Sequence, residues 1–283
     1  MRRNAGHYVL GTEGLALLRT WLVADEETLR RNVDELARMA SAPDEPPLSI
    51  GLDVPDLDVD AGYARWATSY DEAANPLIRV EEPVVRALID RVPAGRALDA
   101  ACGTGRHTAY LAARGHRVAG VDATPAMLEK ARIRVPAADL RQGDLAHLPF
   151  EDCVFDVAVC ALALSHLPDP APAIAELGRV LRPGGALVLS DLHPTMLLLG
   201  GTGFFVDASG RAGNVRSFHH PHARYLAAFR RAGLAVVDCL EPAIEPEDVA
   251  AVSGGLHGFA EEAFRTAWIG MPNALVWSLV RQW

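Results

Sequence analysis

The stretch Leu98–Thr108 reads LDAACGTGRHT, in which two closely spaced glycines follow a short apolar run. An apolar run that ends in a glycine turn is typical of a strand whose end lies close to a nucleotide-like ligand. Nucleoside triphosphates, dinucleotides and other adenosine derivatives all bind at such turns. The residues around the turn distinguish these three ligand classes.

The first two ligand classes fit the turn poorly. A phosphate-binding P-loop requires a lysine, and this stretch contains none. A dinucleotide turn has the pattern G-x-G-x-x-G. Gly103 and Gly105 fit its first two positions, but Thr108 stands where the third glycine allows close packing of helix and strand. The match to a dinucleotide site is therefore partial.

Seven segments of the chain are read as β-strands; six are apolar runs, and the third, 140–143, is a weaker strand signal. They lie at 97–101, 118–121, 140–143, 154–162, 186–190, 235–239 and 274–280. Helical patterns separate the first five segments, and strands that alternate with helices at this spacing form a parallel sheet with helices on both faces. We predict an α/β fold with a doubly wound, mostly parallel sheet of seven strands.

Three aspartates stand at the carboxyl ends of three consecutive predicted strands: Asp99, Asp122 and Asp144. Asp99 precedes the glycine turn, where an acid would repel a pyrophosphate but attract a cation. Asp122 is placed to bind a ribose, and Asp144 to accept a hydrogen bond from an adenine amino group. Together they outline an adenosine ligand with a positively charged amino-acid part. S-adenosylmethionine, which has an ammonium and a sulfonium, is such a ligand.

Five segments of the chain resemble one known family, the class I S-adenosylmethionine-dependent methyltransferases. They are LDAACGTG (98–105), GVDATPAML (120–128), QGDLAHLPF (142–150), FDVAVCALALSHLPD (155–169) and LRPGGALVLSD (181–191). They occur in the family's order and spacing and cover roughly residues 65–192. Ala101 departs from the pattern, since the family most often has glycine there. The resemblance implies a Rossmann-like domain of the bacterial small-molecule type, with S-adenosylmethionine as cofactor.

The resemblance also implies which residues bind the cofactor. The methionine part would contact Tyr70, Asp99, Ala101, Cys102, Gly103, Gly105, Cys160 and Ala161. The ribose and adenine would contact Asp122, Ala123, Met127, Asp144 and Leu145. Structural alternatives remain for several of these residues. Gly103 and Gly105 could simply form a tight turn, Asp122 could cap a helix, Asp144 could be a turn residue, and Cys160 could be a core thiol.

Histidines are the candidate general bases. His166 follows the fourth predicted strand and His193 follows the fifth, and ligands of such sheets bind at these strand ends. These two histidines are therefore the leading candidates, ahead of His219, His220 and His222. The last three form the motif FHHPH (218–222), which could bind a metal weakly. We expect no metal site, because no acidic partner for these histidines is identifiable in the sequence.

The domain organisation is inferred from where strands and helices alternate along the chain and where this alternation stops. Residues 1–60 read as an N-terminal helical extension or lid, with a helical pattern over 13–40. Residues 61–283 read as the S-adenosylmethionine-binding domain, with substrate-shaping insertions at about 194–222 and 243–272. An apolar substrate pocket could be formed by Trp66, Phe204, Phe205, Phe218, Trp268 and Met271.

The amino-acid composition indicates which kinds of partner and compartment are expected for the protein. The 283 residues carry 36 acidic and 27 basic side chains, a net charge of −9, which disfavours nucleic acid because binding a phosphate backbone needs basic clusters. No apolar run is long enough to span a membrane, and the N-terminus does not read as a signal peptide. Four cysteines without paired spacing are typical of reduced, buried thiols. We therefore expect a cytoplasmic protein with no membrane or nucleic-acid partner; its oligomeric state is left open.

The leading functional hypothesis is methyl transfer from S-adenosylmethionine to an N, O or C atom of a small molecule, in specialised metabolism. A second hypothesis is a methyltransferase-like scaffold that binds the cofactor but catalyses a rearrangement or cyclisation, or only binds a ligand. Its cofactor motifs would be identical. A third, a nicotinamide-dependent oxidoreductase, is disfavoured by Thr108, Asp99 and the later motifs.

Overall fold

A computed structural model describes residues 2–71 and 75–283. These divide into two compact units. The N-terminal unit contains the described residues of 1–55, 74–76 and 243–271. The sheet unit contains those of 56–73, 77–242 and 272–283. Residues 243–271, which the sequence predicted as an insertion of the second domain, thus group with the N-terminal helices.

The strands and helices are as follows along the chain. The strands are β1 (Arg2–Asn4), β2 (Gly51–Asp53), β3 (Asp56–Leu57), β4 (Arg96–Ala100), β5 (Arg117–Asp122), β6 (Asp139–Gln142), β7 (Phe155–Ala161), β8 (Leu181–Leu192), β9 (Gly203–Val206), β10 (Ala212–Val215), β11 (Leu234–Leu240) and β12 (Ala274–Arg281). The helices are α1 (Ala5–Thr20), α2 (Glu26–Ala40), α3 (Val59–Trp66), α4 (Pro76–Ile89), α5 (Arg106–Ala113), α6 (Pro125–Arg134), α7 (Ala171–Val180), α8 (Pro194–Leu198), α9 (His222–Arg231), α10 (Val249–Val252) and α11 (Glu261–Trp268).

The central sheet confirms the predicted fold class. Within the described part of the chain it has seven strands in the order β11-β12-β8-β7-β4-β5-β6. Neighbouring strands pair in parallel, except that β12 runs antiparallel to both β8 and β11. The protein is thus an α/β fold with a mostly parallel, Rossmann-like sheet. The carboxyl ends of its six parallel strands share one edge, so side chains that follow those strands lie on the same side of the unit.

Both faces of the sheet are buried, as the apolar strand sequences predict. On one face, Leu98 belongs to a cluster that includes Leu177 of α7 and Phe229 of α9. On the other face, the adjacent Ala97 belongs to a cluster that includes Ile89 of α4. Neighbouring residues of a strand point to opposite faces, so β4 contributes to both clusters. This double burial holds the strand ends of the central sheet in fixed positions.

The predicted insertion at 194–222 forms a small second sheet. In this sheet β10 pairs with β9 in an antiparallel hairpin and with β3 in parallel. Trp66, Phe205 and Val215 form its buried core, in which the rings of Trp66 and Phe205 stack at 5.0 Å between centroids. The small sheet therefore joins the segment that carries α3 to the segment that follows α8.

Residues 5–40 of the N-terminal unit form the two helices α1 and α2, where the sequence suggested a helical region over 13–40. Helix α1 begins earlier, because Asn4 accepts a hydrogen bond from the backbone N–H of Gly6 and so caps the helix. Helix α2 begins at a second cap, Asp25, which accepts from the N–H of Thr28. No helix among residues 2–71 and 75–283 is both long enough and apolar enough to cross a membrane.

A fully buried carboxylate links α4, α5 and β8 in the sheet unit. Glu81 accepts a hydrogen bond from the Ser190 hydroxyl at 2.6 Å, lies 3.0 Å from Nη1 of Arg106, and lies 3.4 Å from Nε2 of His107. Burial alone would raise the pKa of Glu81. These three partners outweigh burial and lower its pKa from 4.5 to about 2. The ionised carboxylate therefore stabilises the folded state.

We predict that Glu81→Gln lowers the free energy of unfolding by about 3 kcal/mol at pH 7, because Arg106 loses its buried counter-ion. A carboxylate whose pKa is lowered by folding stabilises the protein above its ordinary pKa. That stability is lost as pH falls from 4.5 towards 2. Urea unfolding of wild type and variant at pH 7 and pH 3 measures the difference, which should shrink at the lower pH. Exposed Glu151→Gln is the control; equal losses in both variants would contradict the prediction.

Candidate active site

A cleft lies at the carboxyl ends of β4, β5, β6 and β7. Its walls come from the loops after these strands, from α3 and from the segment after α3. Its lining residues are Val59, Tyr63, Tyr70, Ala101, Gly103, Val121, Asp122, Ala123, Thr124, Met127, Gly143, Asp144, Leu145, Ala161, Leu162, Ala163, His166 and Leu167. All of them belong to the sheet unit. The cleft is therefore where a doubly wound fold binds its ligand.

The glycine turn takes a backbone path that explains its sequence. Ala101, Gly103 and Gly105 all have positive φ values, of 59°, 53° and 84°. Glycine adopts this left-handed region without cost, whereas an L residue is strained there, which accounts for the family's preference for glycine where this chain has Ala101. A Cβ atom on Gly103 would meet no atom within 4 Å, so its backbone is open to the cleft.

Asp122 lies at the end of β5 and binds this turn. One of its carboxylate oxygens accepts the N–H of Gly103 at 2.8 Å, and the other accepts the N–H of Thr124 at 2.9 Å. Burial raises the pKa of Asp122, and the two backbone N–H groups lower it in part. A carboxylate has about four acceptor positions. Asp122 therefore holds the turn and the start of α6 while it retains the capacity to bind two hydroxyl groups in the cleft.

One part of the cleft wall, here called the slot, is formed by the apolar side chains of Met127 and Leu145 with Asp144 next to them. Met127 and Leu145 both line the cleft, and the side chain of Met127 is buried. Asp144 is exposed beside them, and its Oδ1 accepts the N–H of Ala146 at 2.8 Å, which is the behaviour of a turn residue. An aromatic base with a polar edge matches this combination of surfaces.

Nine of the thirteen predicted cofactor residues line the cleft. They are Tyr70, Ala101, Gly103, Asp122, Ala123, Met127, Asp144, Leu145 and Ala161. The other four, Asp99, Cys102, Gly105 and Cys160, are not among the lining residues. Cys102 and Cys160 are buried thiols, and Gly105 provides the left-handed turn that begins α5. These three positions therefore shape the loop and the core in this structure.

Asp99 has a hydrogen-bond partner inside the protein. Its side chain is almost fully buried, and the hydroxyl of Thr108 donates a hydrogen bond of 2.6 Å to its Oδ2. Burial raises the pKa of Asp99, while the nearby His107 and Thr108 oppose that rise. Thr108, which the sequence marked only as a missing glycine, is the partner of this acid. Asp99 thus anchors α5 to β4 and is not among the residues that line the cleft, and its contact with the cofactor stays a prediction.

His166 lines the cleft next to a residue that the sequence did not single out, Tyr63. The Tyr63 hydroxyl lies 2.8 Å from Nε2 of His166, and Nδ1 of His166 lies 3.0 Å from the carbonyl oxygen of Arg216. A carbonyl can only accept, so Nδ1 carries the proton and Nε2 accepts from the tyrosine. This tautomer leaves the basic nitrogen of His166 directed at the Tyr63 hydroxyl.

A second polar link ties the segment after α3 to the glycine turn. The Thr104 hydroxyl donates to Asp71 at 2.8 Å, and Arg134 lies 2.9 Å from the same carboxylate. Asp71 directly follows the predicted cofactor residue Tyr70, and the sequence did not single out Thr104 or Arg134. Thr104 lies between the two glycines of the turn, and this position is the sequence feature that could have identified it. The link orients Tyr70 towards the cleft.

The other candidate bases lie outside the cleft lining. His193 Nε2 and His222 Nε2 both face Oε1 of Glu241, at 3.1 and 2.8 Å. His220 is buried and its Nε2 lies 2.9 Å from the carbonyl oxygen of Leu167, so it has a structural partner. His219 is exposed. Of the two leading histidines, the structure therefore brings only His166 into the cleft.

The aromatic residues that were predicted to form one substrate pocket lie in separate places in the structure. Trp66 and Phe205 stack on each other inside the small sheet, and Phe204 is 47% exposed. In the N-terminal unit, Trp268 stacks on Tyr8 with 6.2 Å between ring centroids. Two of the predicted residues thus serve the core of the sheet unit and one serves the core of the N-terminal unit.

Two cysteines also differ from expectation. The sequence predicted buried thiols, but Cys153 and Cys239 are exposed.

The cleft geometry agrees with similarities to known proteins. Residues 98–189 match a family model described as a methyltransferase domain. Methyltransferase GfsG of Streptomyces halstedii is 31% identical over 226 residues, which cover 73% of this chain and 80% of that protein. Malonyl-[acyl-carrier protein] O-methyltransferase of Serratia marcescens is 37% identical over 134 residues, which cover 47% of this chain and 52% of that protein.

A solved structure of an S-adenosylmethionine-dependent methyltransferase from Mesorhizobium loti is similar with a TM-score of 0.55 and 26% identity. The match covers 71% of this chain and 98% of that one. The chain therefore belongs to the class I S-adenosylmethionine-dependent methyltransferases, and its cofactor is S-adenosylmethionine. It spans about half the length of the first curated relatives that it matches, between 46% and 59% of each.

We predict that Asp122→Ala weakens binding of S-adenosylmethionine by about 30-fold or more, because each hydrogen bond from a hydroxyl to a carboxylate contributes roughly 1.5–3 kcal/mol. Isothermal titration calorimetry measures the affinity. Asp139→Ala is the matched control, since Asp139 is an exposed aspartate on the neighbouring β6 that pairs with Arg141. Equal affinity of the two variants would contradict a direct role of Asp122 in cofactor binding.

Proposed function

We propose that the protein transfers the methyl group of S-adenosylmethionine to a small-molecule acceptor in specialised metabolism, with a hydroxyl oxygen as the favoured acceptor atom among N, O and C. The observation that carries this proposal is the Tyr63–His166 pair in the wall of the cofactor cleft. A basic nitrogen at this place suits an acceptor that must lose a proton. The relative from Serratia marcescens, named an O-methyltransferase, supports the choice of oxygen.

The cleft residues fit the cofactor. Asp122 would bind the ribose hydroxyls, and Met127 and Leu145 would enclose the adenine, with Asp144 at its edge. Ala101, Gly103, Ala161 and Tyr70 would surround the methionine part, with Ala123 next to the adenine. The bound cofactor supplies a methyl group already activated by a sulfonium. The protein's own task is therefore to orient the acceptor and to manage its proton.

His166 is suited to accept that proton. Its Nδ1–H is held by the carbonyl of Arg216, so its Nε2 lone pair is available where the Tyr63 hydroxyl now donates. An acceptor hydroxyl that replaces Tyr63 at this nitrogen, or that donates to it through Tyr63, would transfer its proton to His166.

Tyr63 acts as a positioning residue in this proposal. Burial raises the pKa of Tyr63 well above its ordinary value, and the nearby Tyr70, Asp122 and Asp191 raise it further. The phenol therefore stays protonated and works as a hydrogen-bond donor. Its ring also stacks on Trp66 at 5.6 Å, which fixes the hydroxyl in place.

Alignment of the acceptor and general-base catalysis would lower the reaction barrier by different amounts. Alignment of acceptor and methyl carbon can supply about 7–11 kcal/mol of the barrier reduction. A general base typically contributes a factor of ~10²–10⁴, or about 3–5 kcal/mol. Positioning by the cleft walls is therefore the larger effect, and His166 adds the smaller one.

A small acceptor and a cytoplasmic reaction are supported by the charge and by the thiols. The net charge of −9 disfavours a polyanionic acceptor such as RNA or DNA. All four cysteines are free thiols, as in proteins of a reducing compartment.

The proposed function is tested by incubating the protein with methyl-labelled S-adenosylmethionine and a panel of phenolic, alcoholic, amine and carbon-acid acceptors. We expect label in an acceptor together with release of S-adenosylhomocysteine. The alternative hypothesis of a non-methylating scaffold predicts cofactor binding and conversion of an acceptor without label in the product. That outcome would contradict the proposal.

We predict that His166→Gln lowers kcat by about 10²–10³-fold, since it removes the base. Because protonation of the imidazole abolishes the base, wild-type kcat should fall at acidic pH, and this limb of the pH profile should vanish in the variant. Tyr63→Phe should have a smaller effect on kcat and should keep the acidic limb. Stopped assays over a range of pH values measure both.

The matched control for these variants is His147→Gln, an exposed histidine after β6 that does not line the cleft. It should retain wild-type kcat and the wild-type pH profile. A His166→Gln variant with near-normal kcat and an unchanged acidic limb would show that His166 only shapes the cleft wall.

A further inference from the structure

Three metal-binding side chains meet outside the cofactor cleft. His193, His222 and Glu241 each offer one ligand atom, and these atoms all lie within 4.8 Å of one another. Across residues 2–71 and 75–283, this is the one group of three or more histidine, cysteine or acidic side chains that converges in this way. The sequence left the histidines of FHHPH without an acidic partner. The fold provides Glu241 as that partner.

The three side chains are held by different elements of the sheet unit. His193 follows β8 and Glu241 follows β11, two strands that run in the same direction on either side of β12. His222 is the first residue of α9. The backbone N–H of His193 donates to the carbonyl of Asn273, just before β12, at 3.0 Å. The cluster is thus built on the same edge of the sheet as the cofactor cleft.

The donor set and its distances suit a transition metal. Two imidazole nitrogens and one carboxylate oxygen form a set that zinc uses with one or more open positions. Zinc bonds of ~2.0–2.2 Å in a tetrahedron separate the ligand atoms by roughly 3.3–3.6 Å. The present separations from Glu241 Oε1, 3.1 Å to His193 and 2.8 Å to His222, are close to these values. A small opening of the cluster would therefore admit an ion.

The three side chains of the cluster differ in their exposure to solvent. The His193 side chain is 5% exposed, whereas the side chains of His222 and Glu241 are 37% and 46% exposed. One ligand is therefore anchored in the protein, while the other two border solvent. An ion could enter from the solvent side and retain water at its open positions.

One hydrogen bond opposes metal binding. Nδ1 of His193 accepts the backbone N–H of Thr195 at 3.1 Å, so Nε2 carries the proton that points at Glu241. Ligation through Nε2 requires the proton to move to Nδ1, which breaks the bond with Thr195. A helix-cap bond of this kind is worth a factor of about 2–30 in an equilibrium constant. Its loss lowers the affinity of a three-ligand site without abolishing binding.

We propose that His193, His222 and Glu241 bind a divalent transition-metal ion, with zinc as the representative case. The ion would replace the hydrogen bonds that the two histidines now make with Glu241. Because ligation requires a neutral imidazole with a free Nε2 lone pair and an ionised carboxylate, the Nε2 proton of His193 moves to Nδ1 of the same ring when the ion binds, and this neutral imidazole loses no proton.

The proposal is tested by titrating the full-length protein, first freed of metal with a chelator, with zinc chloride in a calorimeter. Cobalt(II) replaces zinc in a parallel titration, where its visible absorption reports nitrogen and oxygen ligation at low coordination number. We expect one ion per chain with micromolar or tighter affinity. His222→Ala and Glu241→Gln should each weaken zinc binding by 30-fold or more.

His219→Ala is the matched control, since His219 is an exposed histidine in the same FHHPH segment. It should bind zinc as the wild type does. Binding of S-adenosylhomocysteine, unchanged within twofold in all three variants, verifies that they are folded. No saturable zinc binding by the wild type, or equal zinc affinity in the His222, Glu241 and His219 variants, would overturn the proposal.

Discussion

The hydrogen bond from the Gly103 N–H to the Asp122 carboxylate is the constraint on which the rest of the site depends. It joins the loop after β4 to the end of β5, two strands that the sheet pairs in parallel. Three left-handed residues lie in that loop, so its path needs an external anchor. With this anchor in place, the open backbone of Gly103, the slot at Met127 and the Tyr63–His166 pair all face one cleft.

Much of the fold could be predicted because the strand ends are marked locally. Apolar runs followed by Asp122, or by the Gly103 turn, identify both the strands and their shared edge. The assignment of residues 243–271 could not be predicted in the same way. Their contacts within the N-terminal unit depend on packing such as Trp268 on Tyr8, which joins residues far apart in the chain. No local pattern encodes such a contact.

The residues of the candidate site were likewise predictable where a local motif marks them, and were missed where a contact joins distant parts of the chain. Gly103 and Asp122 were predicted from the glycine turn and the strand end, and Ala101 was predicted from the family resemblance; all three line the cleft. Asp99 was assigned to the ligand, and in the structure its carboxylate also accepts the hydroxyl of Thr108, a residue that the sequence marked only as a missing glycine. The partner of His166 was missed since Tyr63 precedes it by 103 residues, and Glu241 was missed since it follows His193 by 48.

The central claim is that Asp122 and the glycine turn position the adenosyl donor beside His166. A crystal structure of the protein with S-adenosylhomocysteine tests it most directly. The account predicts the ribose hydroxyls on the Asp122 carboxylate, the adenine between Met127 and Leu145, and the sulfur on the side of the cleft that holds His166. A ligand bound elsewhere, or bound here with its ribose turned away from Asp122, would contradict it.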